Sequence, residues 1–223
     1  GTQLFNGGDG NDTIRLDLSN WSLNLNQDYD QIIEVDLLAE TSGQKGNPSL
    51  RDRLVGIENI EFIGSYDAEL IGDNNDNIII GGDGTDTITT GLGSDVIVIR
   101  AGDGSSSLET TDRITDFEDG FDLIGMAGVN FSDFSKDQGT GSNAAHTILS
   151  ISGEYVAILE NTTAADINQD DFIVSPTYKA TFATSINKWQ SDGNGAGMNE
   201  PTMKLHRKDI TDEVGIDLVS KGD

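Results

Sequence analysis

The chain contains no cysteine, so neither a disulfide nor a thiolate metal site can staple its fold. For an extracellular protein, that shifts the burden of crosslinking to bound metal. Basic residues are scarce as well: 13 Lys and Arg stand against 39 Asp and Glu, for a formal net charge of −26. A field of that sign repels nucleic acid duplexes and anionic membranes, which excludes both as partners. No apolar run reaches the roughly 18 residues of a spanning helix, so no membrane insertion is expected, and no signal-peptide pattern is visible. Histidine occurs only at His146 and His206, far apart and outside any H-E-x-x-H motif. There is no G-x-S-x-G elbow, no P-loop and no thiol nucleophile. Carboxylates are plentiful enough to imitate a glycosidase pair, but the well-patterned ones fall into a repeat with a different logic. The chain is not expected to be an enzyme.

What the sequence does contain is a nine-residue repeat. Residues 72–98 divide into three units of nine that begin at Gly72, Gly81 and Thr90. The sixth position is Asn77, Asp86 and Asp95, the eighth is Ile79, Ile88 and Ile97, and Leu70 keeps the aliphatic spacing one unit earlier. The middle unit, GGDGTDTIT, fits G-G-x-G-x-D-x-U-x at every fixed position, and GGDGNDTIR at Gly7 to Arg15 fits it again. Glycine at the first, second and fourth positions allows a tight turn through positive φ. Such a turn points several carbonyl oxygens into one small volume, and the Asp adds a carboxylate, a donor set that suits a hard cation. The eighth position is the inward residue of a short strand. Each unit is thus a turn that can hold metal followed by a strand that holds core. Acidity of this degree also serves solubility alone. Repeated Asp in Gly-rich turns favours the reading that the charge awaits divalent cations.

These motifs resemble the RTX family of hemolysin-type calcium-binding repeats, including the C-terminal segments of serralysins. The resemblance implies an all-β fold, a parallel β-roll in which two units make one eighteen-residue coil and Ca2+ lies between stacked turns. It also implies the ligands. Asp73, Asn75 and Asn77 would face Thr90, Leu92 and Asp95. Gly82, Gly84 and Asp86 would face the irregular turn at Ala101 to Gly104, with Asp103. Gly64 and Tyr66 would face Gly81, Asp83 and Asp86. The first repeat offers Gly8, Asp9, Gly10 and Asp12. Asn77 replaces an acidic ligand and Ala68 supplies none, so those two outer sites are expected to be weak or empty. Residues 99–125, with D-x-I-x-D-F-x-x-G-x-D-x-I, resemble the closing segment of serralysin-type rolls. Asp112, Asp116, Asp119 and Asp122 lie close enough to share a cation, though each also reads as a turn or capping carboxylate. Asp112 is favoured as a ligand because it precedes Ile114 by the two residues that separate Asp86 from Ile88.

The remaining organisation follows from composition and pattern. Residues 1–175 read as the roll, interrupted at about 16–62 by an insertion with strands in Arg15 to Leu25 and Gln31 to Ala39 and a turn-rich break at Gly43 to Pro48. Leu54 to Gly64 resembles the return segment of interrupted RTX arrays. An antiparallel β cap is expected over about 120–175, with strands near Thr147 to Ser152, Tyr155 to Leu159 and Phe172 to Val174. A helical turn fits Asn161 to Asp171. Residues 176–223 hold six of the 13 basic residues and read as a small C-terminal β appendage or the start of another module. The outward positions Ile78, Ile80, Val96 and Val98 are all apolar, so something must cover them. The chain after residue 120, or the insertion, is the expected cover.

The functional expectation is a calcium-dependent structural and secretion module of a larger bacterial exoprotein, adhesin or toxin. It would be exported by a type I system, found outside the cell or at its surface, and monomeric as a fragment; the opening at Gly1, almost within a repeat, points the same way. The alternative is a glycan-binding module like the R-modules of alginate epimerases, for which Trp189 and the basic tail offer one extracellular glycan surface. An ice-binding roll would need a regular row of outward Thr, and only Thr87 and Thr89 qualify.

Overall fold

The computed structural model describes residues 3–20, 28–100 and 102–173. In chain order the strands are β1 (Leu4–Asn6), β2 (Thr13–Asp17), β3 (Ile33–Asp36), β4 (Thr41–Gln44), β5 (Arg51–Val55) and β6 (Asn59–Ile63). The repeat region supplies β7 (Ala68–Ile71), β8 (Ile78–Ile80), β9 (Thr87–Thr89), β10 (Val96–Arg100) and β11 (Arg113–Ile114). The last of the described strands are β12 (Leu123–Ala127), β13 (Phe134–Gln138), β14 (Thr147–Ile151), β15 (Glu154–Leu159) and β16 (Phe172–Ile173). Helical structure among the described residues is limited to short 3-10 turns, so the all-β expectation holds.

Among the described residues two sheets result, one of ten strands (β1-β5-β4-β3-β7-β9-β11-β15-β14-β13) and one of six (β16-β12-β10-β8-β6-β2). From β6 to β12 successive strands alternate between the sheets, and each pairs in parallel with the strand two further on. A nine-residue unit with one short strand forces this alternation, because each Gly-rich turn carries the chain across to the other sheet. The register aligns the eighth positions. Ile14, Ile60, Ile79, Ile97, Ile124 and Phe172 are consecutive partners in one sheet. In the other, Val35, Leu70, Ile88, Ile114 and Leu159 are partners. All lie in the core, none above 7% exposed. At about 1.5–3 kcal/mol for each large aliphatic removed from water, these two columns are the main apolar support of the repeat region.

The outward apolar face is covered. Ile78, Ile80, Val96 and Val98 are between 3% and 9% exposed and form a second cluster with Ala127, against which Leu123 and Ile173 pack. All three of those neighbours come from the chain after residue 120.

The insertion departs from expectation. Gly43 lies inside β4, which runs antiparallel between β3 and β5, and not in a turn. Glycine is needed there because its φ is +148° and a Cβ would sit 1.7 Å from the Leu50 carbonyl oxygen. Residues 21–27 of the expected first strand lie outside the described residues. Beyond residue 120, β13, β14 and β15 form the antiparallel part of the cap, and Phe131 and Phe134 pack their rings on Phe172 at 4.9 and 5.1 Å. β16, by contrast, runs parallel to β12 and extends the six-stranded sheet. The 3-10 turn Gln169–Asp171 sits in the connection that reverses the chain before it. Val174, the segment 176–223, its strand-like stretches and Trp189 lie outside the described residues.

Candidate functional site

The Gly-rich turns stack in two ladders, one along each edge where the chain crosses between sheets. The backbones approach so closely that side chains are excluded. Gly91 has φ +98°, and a Cβ on it would lie 1.9 Å from the carbonyl oxygen of Asp73. A Cβ on Gly84 would meet the Tyr66 carbonyl oxygen at 2.3 Å. Amides of one turn donate directly to carbonyls of the turn before it: Leu92 to Asp73 at 3.0 Å, Asp83 to Gly64 at 2.7 Å. The groupings expected from the sequence are thus brought together. Asp73, Asn75 and Asn77 lie against Thr90, Leu92 and Asp95, and Gly64 and Tyr66 lie against the Gly81–Asp86 turn.

A single rule links the sixth positions. One oxygen of each carboxylate accepts the amide of the equivalent residue in the preceding coil. Asp86 takes Ala68 N–H at 2.8 Å and Asp95 takes Asn77 N–H at 2.7 Å, both 18 residues back. Asp112 takes Asp86 N–H at 2.8 Å across 26 residues, and Asp122 takes Asp95 N–H at 3.1 Å across 27. Asp112 is the next rung of one ladder, as its spacing to Ile114 foretold. Asp122 is the next rung of the other; the sequence left it open between cation ligand and turn carboxylate, although it precedes Ile124 by the same two residues. Asp116 has a separate task, accepting from the amides of Thr90 and Gly91 at 2.8 and 2.9 Å. Asp119 belongs to neither ladder; it faces Asp171, whose carboxylate pushes its acidity down and its pKa up.

The second carboxylate oxygen separates the sites. In Asp86 it accepts Gly82 N–H at 2.9 Å, and in Asp122 it accepts Glu118 N–H at 2.8 Å. In Asp95 the corresponding amide, Gly91, is taken by Asp116. Asp95 Oδ2 is consequently buried with no partner among the described residues. Burial, then the charges of Asp122, Asp76 and Asp116, push the Asp95 carboxyl up to about 7. On the opposite edge, burial lifts Asp86 to about 6, and burial followed by the charge of Asp86 lifts Asp112 to about 8. Asp103 and Asp122 are also raised, chiefly by burial.

Asn77 shows how a ladder position can close without charge. Its Oδ1 accepts Asp73 N–H at 2.7 Å, and its Nδ2 donates to Glu58 O at 2.7 Å. One neutral amide therefore ties neighbouring turns together. Asn59 does the same one coil earlier, accepting Ile78 N–H at 2.8 Å. Along this edge the rungs run from amides at 59 and 77 to carboxylates at 95 and 122. The first repeat meets a different partner from the later ones. Gly56 approaches Gly8, with 2.9 Å between its would-be Cβ and Gly8 O, and Asp12 accepts the amides of Glu58 and Asn59 at its carbonyl. Gly10 turns at φ +124°, Asp12 is buried and Asp9 is exposed. Of the irregular turn, Asp103 reaches the Gly81 turn region, while Ala101 lies outside the described residues.

Among the described residues no three Asp, Glu or His side chains form a preformed metal cluster. The donors are mixed: turn carbonyls, Asp95 Oδ2 and its carboxylate neighbours. Such a set offers hard oxygen ligands to a cation and offers no nucleophile beside a base. Compared with known proteins, the chain matches no family model and no curated protein.

Proposed function

We propose that this chain is a calcium-binding module of the RTX type, a β-roll whose folding depends on the ion and whose task is structural. The observation that carries the reading is Asp95 Oδ2: a buried carboxylate oxygen without a partner among the described residues, in a stack of Gly-Asp turns rich in carbonyls. Without a cation, the ionised ladder carboxylates repel one another, and strands of two to six residues contribute too little to offset chain entropy. With one, opposite charge and carbonyl dipoles meet where the repulsion is greatest. The strand alternation and the aligned aliphatic columns support the roll geometry, since they leave turns two units apart in register.

In this reading Asp95 and Asp122, with carbonyls of the 90–95 and 116–122 turns, make the strongest site. The rungs at Asn59 and Asn77 close through amides and need no ion. The module would stay loose where free calcium is scarce and fold outside the cell, where sites with dissociation constants of about 10⁻⁴–10⁻³ M fill. Export of a larger bacterial protein in the unfolded state fits that behaviour. The test is far-UV circular dichroism of the 223-residue chain titrated with calcium from an EGTA baseline. A saturable gain of β signal in that range is expected. An unchanged spectrum and an unchanged melting temperature would refute the proposal.

A further inference from the structure

The edge that carries Asp86 and Asp112 already contains a cation of its own. Arg100 ends β10 and sends its guanidinium back to the preceding turn, where Nη2 donates to the carbonyl oxygen of Gly81. Its Nε lies 3.4 Å from Asp103 Oδ2, and its backbone amide donates to the same oxygen at 2.7 Å. Gly81 is the point on which the acids of this edge converge. A Cβ built there would lie 2.7 Å from Asp86 Oδ2 and 3.7 Å from Asp112 Oδ2. Gly81, Asp103 and Asp112 also line one small cavity whose other walls are apolar, Ile88, Ile97 and Ile114 among them. A turn carbonyl, flanking carboxylates and an apolar floor would suit a bound metal, and a guanidinium sits on that carbonyl.

We propose that Arg100 is a tethered cation that takes the place of a metal ion between the Gly81–Asp86 turn and the Asp103–Asp112 segment. The two edges then differ in kind. The Asp86–Asp112 edge closes on a charge encoded in the sequence, and the Asp95–Asp122 edge closes on one drawn from solution. Arg100 is suited to this because a guanidinium stays protonated at every working pH and offers several donors in a fixed plane. Its charge favours the ionised forms of Asp86, Asp103 and Asp112, opposing the burial that raises them. Since only one positive charge meets three acids, the edge is left under-neutralised, and removing that charge would open a place for a divalent ion.

The inference rests on the calcium reading for the opposite edge, and the experiment separates the two. The full chain is prepared as wild type, Arg100→Gln and Arg100→Lys. Calcium stoichiometry is measured by isothermal titration, and melting temperatures are taken in EGTA and in saturating calcium. Arg100→Gln is expected to melt roughly 4–8 °C below wild type in EGTA. In calcium it should recover most of that loss while binding one ion more than wild type. Arg100→Lys keeps the charge and should keep the wild-type stoichiometry. Equal stoichiometry for Arg100→Gln and wild type, with the same loss of melting temperature in both buffers, would reduce Arg100 to an ordinary ion pair and overturn the proposal. So would a Lys variant that behaves like the Gln variant. A wild type that ignores calcium altogether would sink the calcium reading; Arg100 would then be judged in EGTA alone, where Gln must destabilise and Lys must not.

Discussion

Replacing Asp95 by Asn should change stability in opposite directions with and without calcium. In the metal-free chain at pH 8, the Asp95 carboxylate is ionised although burial and its acidic neighbours favour the proton. A displacement from 3.8 to about 7 corresponds to about 4 kcal/mol. We expect roughly half of this to be recovered on substitution, because the turn lies close to solvent, which screens the charges. The Asn side chain removes the charge and keeps an oxygen for Asn77 N–H, the contact that Asp95 makes at 2.7 Å. Asn77 already shows a neutral amide at the equivalent position one coil earlier, there accepting from its own turn at Asp73 and donating to Glu58 O. Asp95→Asn should therefore melt about 4–8 °C above wild type in EGTA, at the usual conversion for a chain of this size. In calcium the order reverses, because a neutral amide oxygen is a poorer ligand than a carboxylate and the ion is held less tightly. Differential scanning calorimetry of both proteins in both buffers reads the four values. If Asp95→Asn is less stable than wild type in EGTA, or shifts equally in both, the buried charge is not what calcium relieves.

Other expectations follow from the same geometry. Asp86, Asp95 and Asp112 have folded values of about 6, about 7 and about 8, above the ordinary 3.8, so the folded chain holds protons that the unfolded chain releases. Their contribution to stability is present below about pH 4 and lost as the pH rises through those values. Melting temperature in EGTA should accordingly rise from pH 8 to pH 5, whereas in calcium it should fall over that range; a flat profile in EGTA would contradict the burial argument. Asp86→Ala should raise the calcium midpoint for folding more than Asp9→Ala, because the buried Asp86 carboxylate ties its own turn at Gly82 N–H to the preceding coil at Ala68 N–H while Asp9 is exposed. Equal midpoints by circular dichroism would contradict that order. Gly91→Ala forces a Cβ to 1.9 Å from Asp73 O at φ +98°; a loss of about 1–3 kcal/mol in urea unfolding is expected, and a neutral outcome would mean the turns do not stack this closely.

What the sequence made legible was whatever repeats locally. Ile79, Ile88 and Ile97 announce their columns because a nine-residue period fixes which side chain points inward, and Asp86 and Asp95 follow from the same register. Asp122 was legible only as one of four neighbouring acids, because intervening segments stretch the rung spacing from 18 to 27 and the fixed period no longer singles it out. Arg100 could not be placed, since its partner at Gly81 lies a full coil away and no local pattern encodes that contact. β13 reads FSKDQ, too polar for an apolar alternation, and becomes a strand through pairing with β14. The direction of β16 was misjudged for a related reason: Phe172 and Ile173 declare a strand, but parallel pairing with β12 depends on how the preceding connection returns. Gly43 looked like a turn because glycine in a Gly- and Asn-rich stretch usually is one, and a strand interior that only glycine fits carries the same letter.

The most direct measurement is anomalous diffraction from crystals grown with terbium in place of calcium. The account predicts an ordered ion at the Asp95–Asp122 edge, touching Asp95 Oδ2, and none between the Asn59 and Asn77 rungs. A well-ordered Asp95 with no anomalous peak beside it would contradict the claim that an external cation closes these turns.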